Sequence, residues 1–500
     1  MEPVIHTRAL VGLTPHPVTV ECHLAGGLPG TTIVGLPESA VKEARDRVRA
    51  ALDYSGFTYP GGKVVINLAP GQLAKASTAL DLPIALALLA KTSQIRTAEL
   101  AELEFLGELG LYGELRKAPG ALACALATGK EGRKLIVPEA NSDEAAIAPR
   151  GSMRLAATLK DVVAYLNGAR QAVTQPPRIA EPQHDEPHSL TQVVGQSAAK
   201  RAMTIAAAGG HHLLMVGPPG TGKTMLARGF SELLPTLSNA QSLEVAAVYS
   251  AAGMTRTNHR KPPIRAPHHS ASAPALVGGG SPPRPGEIAL AHHGVLFLDE
   301  LPHFQPSVLN LLREPIENGT VTITRAAYAI EYPCHFQLIA AMNPCPAGRT
   351  CTAQACRCTA SQVQSYQSRI SGPLLDRIDL HVQVPALPDY LLARLQIQPQ
   401  DNSPAQLRDQ VEKVRRTQAN RQNCLNAALQ HELKEHMLHA ELDDSFLQQA
   451  INRYKLSARS YAKTWRIART IADLEDSIII TSPHLTEALS YRALDWEEGV

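Results

Sequence analysis

The stretch GPPGTGKT at residues 217–224 constrains this chain more than any other. It fits G-x-x-x-x-G-K-[ST] without a mismatch, between the apolar run HHLLMVG and the helical-looking MLARGFSELL. A strand, a Gly-rich turn and a helix in that order is the context that gives the pattern its meaning. Gly217, Gly220 and Gly222, with Pro218, Pro219 and Thr221 among them, let the backbone turn its N–H groups toward phosphate oxygens. The following helix offers its N-terminus to the same charge. Lys223 reaches the outer phosphates, and Thr224 holds Mg²⁺ through its hydroxyl. ATP and Mg²⁺ are therefore the expected cofactors.

The run VLFLDE (295–300) supplies the partner of that loop. Its four apolar residues read as a buried strand. Asp299 at the end is placed to bind Mg²⁺ through water, and Glu300 to polarise the attacking water as general base. An apolar run ending in Asp-Glu is a weak signal alone. It becomes strong when it follows such a loop by 299 − 224 = 75 residues. FQLIAAMN is a further apolar run, ending at Asn343. Both runs are bounded by turn residues, as buried parallel strands should be.

Five hundred residues suggest two or three domains. Apolar content of 44 % and charged content of 19 % describe an ordinary globular chain. The net charge is only +2, so nucleic-acid binding must come from a local patch rather than from bulk charge. No apolar run reaches about 18 residues, so no membrane span is expected. MEPVIHTRALVG lacks a basic region followed by an apolar core, so no signal peptide is expected either. Four of the eight cysteines, Cys22, Cys124, Cys334 and Cys424, are scattered. That pattern suits a reducing cytoplasm better than a disulfide framework.

The segment 171–190, rich in Pro, Gln and charge, reads as a linker. Before it, residues 1–170 have a mixed α/β pattern. PVTVECHLAG, GTTIVG, KVVINLAP and RKLIVPEAN look like strands. ESAVKEARDRVRAALDYS and ALDLPIALALLAK look like helices. Residues 191–400 carry the nucleotide motifs, and 401–500 read as mainly helical.

The nucleotide motifs resemble those of ring ATPases of the AAA+ class. That resemblance implies that Asn343 contacts the γ-phosphate and helps position water, unless it is a turn residue before Pro344. It implies that Arg377, in SGPLLDRIDLHV, reaches a neighbouring subunit's nucleotide, and that Arg459, in LSARSYAK, is a second sensor. Arg369 is a weaker candidate, and both Arg377 and Arg459 could instead be surface charges.

Longer stretches narrow the resemblance. VVGQSAAKRAMTIAAAGGHHLLMVGPPGTGKTMLA, RAPHHSASAPALVGGG, RPGEIALAHHGVLFLDELPHF and LREPIENGTVTITRA are similar to the ComM/YifB family of Mg-chelatase-like AAA+ proteins. GLPESAVKEARDRVRAAL and LDLPIALALL extend the likeness into the first domain. It implies an α/β fold in three parts. A Lon-protease-like (ribosomal S5 domain 2-like) domain comes first, then a P-loop AAA+ core, then a C-terminal helical lid. The implied function is an ATP-driven homo-hexameric motor on single-stranded and branched DNA, promoting branch migration in natural transformation, in the cytoplasm. The alternative is the ATPase subunit of a metal-chelatase complex.

A Lon-like first domain raises a Ser-Lys peptidase as a rival. Matched to the Lon pattern, the nucleophile position falls on Ala79 and the base position on Ala121, and alanine supplies neither. Only a shifted register would recruit Ser77 and Lys117.

By the same resemblance, residues 316–337 form a hairpin turning near Arg325–Ala327 and pointing into the ring pore. Arg325 would meet DNA there, and Tyr328 would stack or pack. Residues 249–274, with Arg256, Arg260, Lys261 and Arg265, resemble the family's pore-facing insertion, or are a solvated loop. Behind Asn343 lie Cys345, Cys351, Cys356 and Cys358. They read either as a structural Zn²⁺ site or as free, redox-active thiols.

Overall fold

The computed structural model describes residues 2–35, 41, 43–73, 75, 77–174, 190, 193, 195–256, 258–280, 283–325, 328–348, 356, 358–386, 404–430, 432–438, 440, 444–454 and 456–492. In the first domain, apolar residues alternate along Lys63–Ala69 and much of Thr14–Ala25, which leaves one face of each of these strands to bury, while Ile5–Val11 buries Thr7 and Arg8 beside Ile5 and Ala9. Together with four further strands they make a seven-stranded mixed sheet. Its order is Gly30–Val34, Lys63–Ala69, Thr14–Ala25, Ile5–Val11, Leu103–Phe105, Lys134–Pro138, Met153–Ala156. The stretch ALDLPIALALLAK becomes the helix Asp81–Lys91, buried from Asp81 to Ala90. ESAVKEARDRVRAALDYS yields the helix Ala44–Tyr54. Most of the linker lies outside the described residues.

The second domain is built on five parallel strands. Their order is Ile264–Arg265, Val295–Leu298, Gln337–Met342, Leu213–Val216, Leu380–Gln383. The three central strands are buried at every residue, as a parallel sheet covered on both faces requires. One face is covered by the helix Ser197–Gly209, which stops at Gly210 with φ +79°. The C-terminal helices Pro404–Gln422, Ala458–Leu474 and Ser482–Ser490 join that helix in a single core containing Trp465, Ile471 and Leu485. The helices expected as a lid thus share the hydrophobic core of the sheet. The other face packs against Asn239–Ala251 and a two-stranded hairpin.

That hairpin, Thr320–Arg325 with Tyr328–Pro333, is shorter than the expected 316–337. Residues up to 318 belong to the helix Arg313–Asn318, and Gly319 at φ +67° ends it. Among the described residues, contacts between the first and second domains include the following. Gly120 N–H donates to Ser250 O at 3.2 Å, and Ser250 Oγ donates to the buried Glu144 carboxylate at 2.6 Å. Gly12 lies so close to the hairpin that a Cβ there would sit 2.4 Å from Ile330 Cγ2. Among the described residues, no helix is long and apolar enough to cross a membrane.

Candidate functional site

Parallel strands place all their C-terminal ends on one edge of the sheet, and ligands of such sheets sit there. The loop 217–222 follows Leu213–Val216, with Gly220 at φ +82° and Gly222 at φ +89°. Gly217 passes under the neighbouring strand, where a Cβ would meet Val384 O at 2.1 Å. Asp299 and Asn343 end the adjacent strands, so residues remote in sequence converge.

Lys223 Nζ donates to Gly217 O at 2.7 Å, Pro218 O at 2.8 Å and Asn343 Oδ1 at 3.2 Å. Burial pushes its ammonium below the ordinary lysine value, against the pull of Asp299 and Glu300. Thr224 Oγ1 donates to Asp299 Oδ2 at 2.7 Å. A hydroxyl and a carboxylate oxygen in contact suit a hard cation such as Mg²⁺. Glu300 sits in left-handed backbone at φ +52°, and its N–H donates to Asp299 Oδ1 at 2.9 Å. Such strain costs about 1–3 kcal/mol and persists only where the surroundings enforce it.

The Glu300 carboxylate is flanked by two histidines that the sequence reading missed. His303 Nδ1 lies 3.1 Å and His269 Nδ1 3.4 Å from Glu300 Oε2. His303 stands three residues beyond Glu300, a spacing that could have flagged it. His269 reaches the site only through the fold.

Arg377 and Arg459 lie elsewhere. Arg377 precedes the strand Leu380–Gln383, on the N-terminal edge of the sheet. Four to six strand residues, roughly 13–20 Å, separate that edge from the P-loop. There Arg377 Nη2 lies 2.7 Å from Glu317 Oε2, and Arg459 Nη2 bonds the other oxygen of the same carboxylate. The hydrogen bond from Arg377 is the main pull holding Glu317 below the usual carboxylate range. These residues line a cavity of about 1180 Å³ together with Arg415, Lys463 and Arg466. The structure therefore assembles two clusters on opposite edges. Arg369 is exposed.

Near the cavity, the pair His292–His293 was also missed. Glu244 Oε2 lies 2.7 Å from His293 Nε2 and 3.3 Å from His292 Nε2. His292 Nδ1 accepts from the His335 N–H at 3.1 Å. That bond leaves the ring proton on Nε2, which donates to Glu244, so the ring's lone pair is already used.

Behind Asn343, the Sγ atoms of Cys345, Cys356 and Cys358 lie within 4.8 Å of one another. Cys351 lies outside the described residues. Of the basic stretch, Arg256 stacks over the Tyr249 ring at 5.1 Å. Arg265 Nη2 donates to Glu287 at 2.7 Å, and Arg260 Nη2 donates to Asn239 at 3.3 Å. These three cations are engaged within the chain. Arg325 and Tyr328 face each other beside the hairpin turn, and their side chains lie outside what is described.

In the first domain, Ala79 and Ala121 are fully buried in one hydrophobic cluster with Leu106 and Cys124. Ser77 Oγ accepts from the Ala79 N–H at 3.1 Å, and Lys117 Nζ lies 3.8 Å from Glu144.

With this geometry in place, comparison with known proteins is informative. Family models described as magnesium chelatase, subunit ChlI, match residues 189–391, and as subunit ChlI of Mg-chelatase, residues 20–141. A model of the ChlI C-terminal region matches residues 401–492. The uncharacterized protein YifB of Escherichia coli is 46 % identical over 495 residues, covering 98 % of this chain and 97 % of its own. The competence protein ComM of Haemophilus influenzae is 44 % identical over 498 residues, with 98 % and 97 % covered. A magnesium-chelatase 38 kDa subunit of Cereibacter sphaeroides is 25 % identical over 178 residues, 32 % of this chain and 53 % of its own.

Proposed function

The chain belongs to the ComM/YifB family of magnesium-chelatase-like proteins, and from that premise we propose an ATP-driven hexameric DNA motor. Its work is branch migration on single-stranded and branched DNA, in the homologous recombination of natural transformation, in the cytoplasm. A relative of near-identical length carries the name competence protein, which supports this role.

One observation carries the reading: the two clusters on opposite edges of one sheet. Arg377 and Arg459 are too far from their own P-loop to serve it. A ring brings the basic edge of one subunit against the P-loop edge of the next, and each nucleotide then receives both halves.

In that arrangement Lys223 exchanges loop carbonyls for phosphate oxygens. Thr224 and Asp299 would hold Mg²⁺, which neutralises phosphate charge when bound. Glu300 takes the proton of the attacking water, Asn343 orients that water, and Arg377 and Arg459 balance the charge that develops on phosphate. The hairpin at Arg325 is the DNA contact. The first domain, with buried alanines at both peptidase positions, is a scaffold without Ser-Lys chemistry.

The second reading, the ATPase subunit of a metal chelatase, is favoured by the three ChlI-type family matches. Purified protein with ATP on forked, three-stranded and four-stranded DNA separates the two. Strand exchange at the branch supports the motor. Absence of both DNA binding and DNA-stimulated hydrolysis would move the assignment to the chelatase class.

A further inference from the structure

The thiol cluster remains once the nucleotide site has been accounted for. Cys345 follows the strand Gln337–Met342 and is buried. Cys356 and Cys358 precede the helix Ala360–Gln367, which opens on a Thr359–Gln362 capping box. Cys345 thus stands just after one element and Cys356 and Cys358 just before the next, and their thiols lie together. All three Sγ atoms lie within 4.8 Å of each other. Two thiolates on one tetrahedral Zn²⁺, with bonds of about 2.3 Å, sit about 3.8 Å apart. The cluster therefore needs only a small closure to accept the ion.

We propose that Cys345, Cys356 and Cys358 bind a structural Zn²⁺ that clamps the segment behind Asn343 against the P-loop. Three thiolates select a soft or borderline cation and reject Mg²⁺. Binding replaces each S–H proton with an S–Zn bond, releases the three protons, and changes no oxidation state. The fourth position takes a further donor.

The surroundings explain what the clamp does. Gly348, in left-handed backbone at φ +53°, lies where a Cβ would be 3.2 Å from Pro219 Cγ and 3.7 Å from Asn343 Nδ2. The segment carrying Cys345 thus rests directly on the phosphate loop. Gln367 Nε2, at the far end of the following helix, donates to Pro344 O at 3.3 Å. A metal joining Cys345 to Cys356 and Cys358 closes this segment as a short loop. It removes conformations in which Asn343 drifts from Lys223. A second cluster of ligand type, Glu244–His292–His293, is engaged in its own hydrogen bonds and serves as the comparison.

The test uses full-length protein purified without chelators, and elemental analysis. About one zinc per chain is expected. The content should fall at least fivefold in the Cys356→Ser/Cys358→Ser protein and stay unchanged in the His293→Gln protein. Cobalt exchanged into the wild-type protein should give thiolate-to-cobalt charge-transfer absorption with tetrahedral visible bands. That measurement stands even if the double variant fails to fold. Zinc retained in a folded double variant would overturn the site. So would wild-type protein without zinc or a cobalt–thiolate band, whose three thiols all alkylate in the folded state.

Discussion

The two edges of the ATPase sheet are made from the same five strands and differ in almost every chemical respect. The C-terminal edge gathers acceptors around one ammonium: Asp299, Glu300, Asn343 and two loop carbonyls face Lys223 and Thr224. The N-terminal edge gathers cations around one carboxylate, with Arg377 and Arg459 on Glu317 and Arg415 and Arg466 nearby. Among the described residues, the first edge offers Lys223 as its lysine or arginine, set among these acceptors. The other has cations in excess. The head-to-tail ring proposed above sets these two unlike edges against each other.

The sharpest way to break this comparison is at its centre. Lys223→Ala should abolish both nucleotide binding and turnover, read by fluorescent-nucleotide titration and phosphate release. Retained tight binding would remove the ammonium from the site. On the opposite edge, Arg377→Ala should lower turnover by about 10³–10⁵ while leaving binding to its own P-loop intact. Mixing these subunits with Glu300→Gln subunits should restore a fraction of sites. Zero activity at every mixing ratio would count against a finger acting between subunits.

Glu300→Gln alone should cut hydrolysis by about 10²–10⁴, as loss of a general base does, without weakening ATP binding. Substantial turnover in that protein would transfer the base role to another group, with His269 and His303 the first to examine.

A smaller effect distinguishes the edges by pH. His292, facing Glu244, His293 and His335, is held down to about 4 by burial first and by its histidine neighbours second. The folded state therefore binds fewer protons than the unfolded chain, whose histidines titrate near 6.5. This contribution is complete above pH 6.5 and is lost as pH falls through 4. Urea midpoints should drop between pH 6.5 and 4, and less steeply in His292→Gln. An unchanged slope would assign the acid loss to other groups.

The smallest expected effect lies outside both edges. Arg325→Ala should reduce DNA-stimulated hydrolysis on the order of fivefold, for one phosphate contact worth about 1 kcal/mol, and spare basal hydrolysis. Equal loss of both would make Arg325 a structural residue of the hairpin.

The nucleotide edge was legible because its code is local. GPPGTGKT carries loop, helix start, Lys223 and Thr224 in eight consecutive residues, and Asp299 and Glu300 are adjacent behind an apolar run. The buried strands and the helix Asp81–Lys91 were legible for the same reason, since run length and flanking turns identify them without neighbours. The hairpin was drawn too long because Gly319 and the helix it ends were not weighed. The partners of the basic stretch were not legible, for a different reason. Nothing local in Arg256 or Arg265 announces that Tyr249 and Glu287 will claim them.

By itself, then, the sequence determined that this chain builds a parallel sheet with a glycine-rich loop running into a helix at Lys223 and Thr224 and a carboxylate, Asp299, at the end of a buried strand. Local backbone geometry and burial are enough to encode both. The tertiary structure alone decided that Arg377 and Arg459 share Glu317 on the far edge, that His269 reaches Glu300, and that three cysteines meet behind Asn343. The order of strands in a parallel sheet is not their order in the chain. Contacts between strand ends are therefore set by how the crossovers pack on the two faces, which no short window of residues contains.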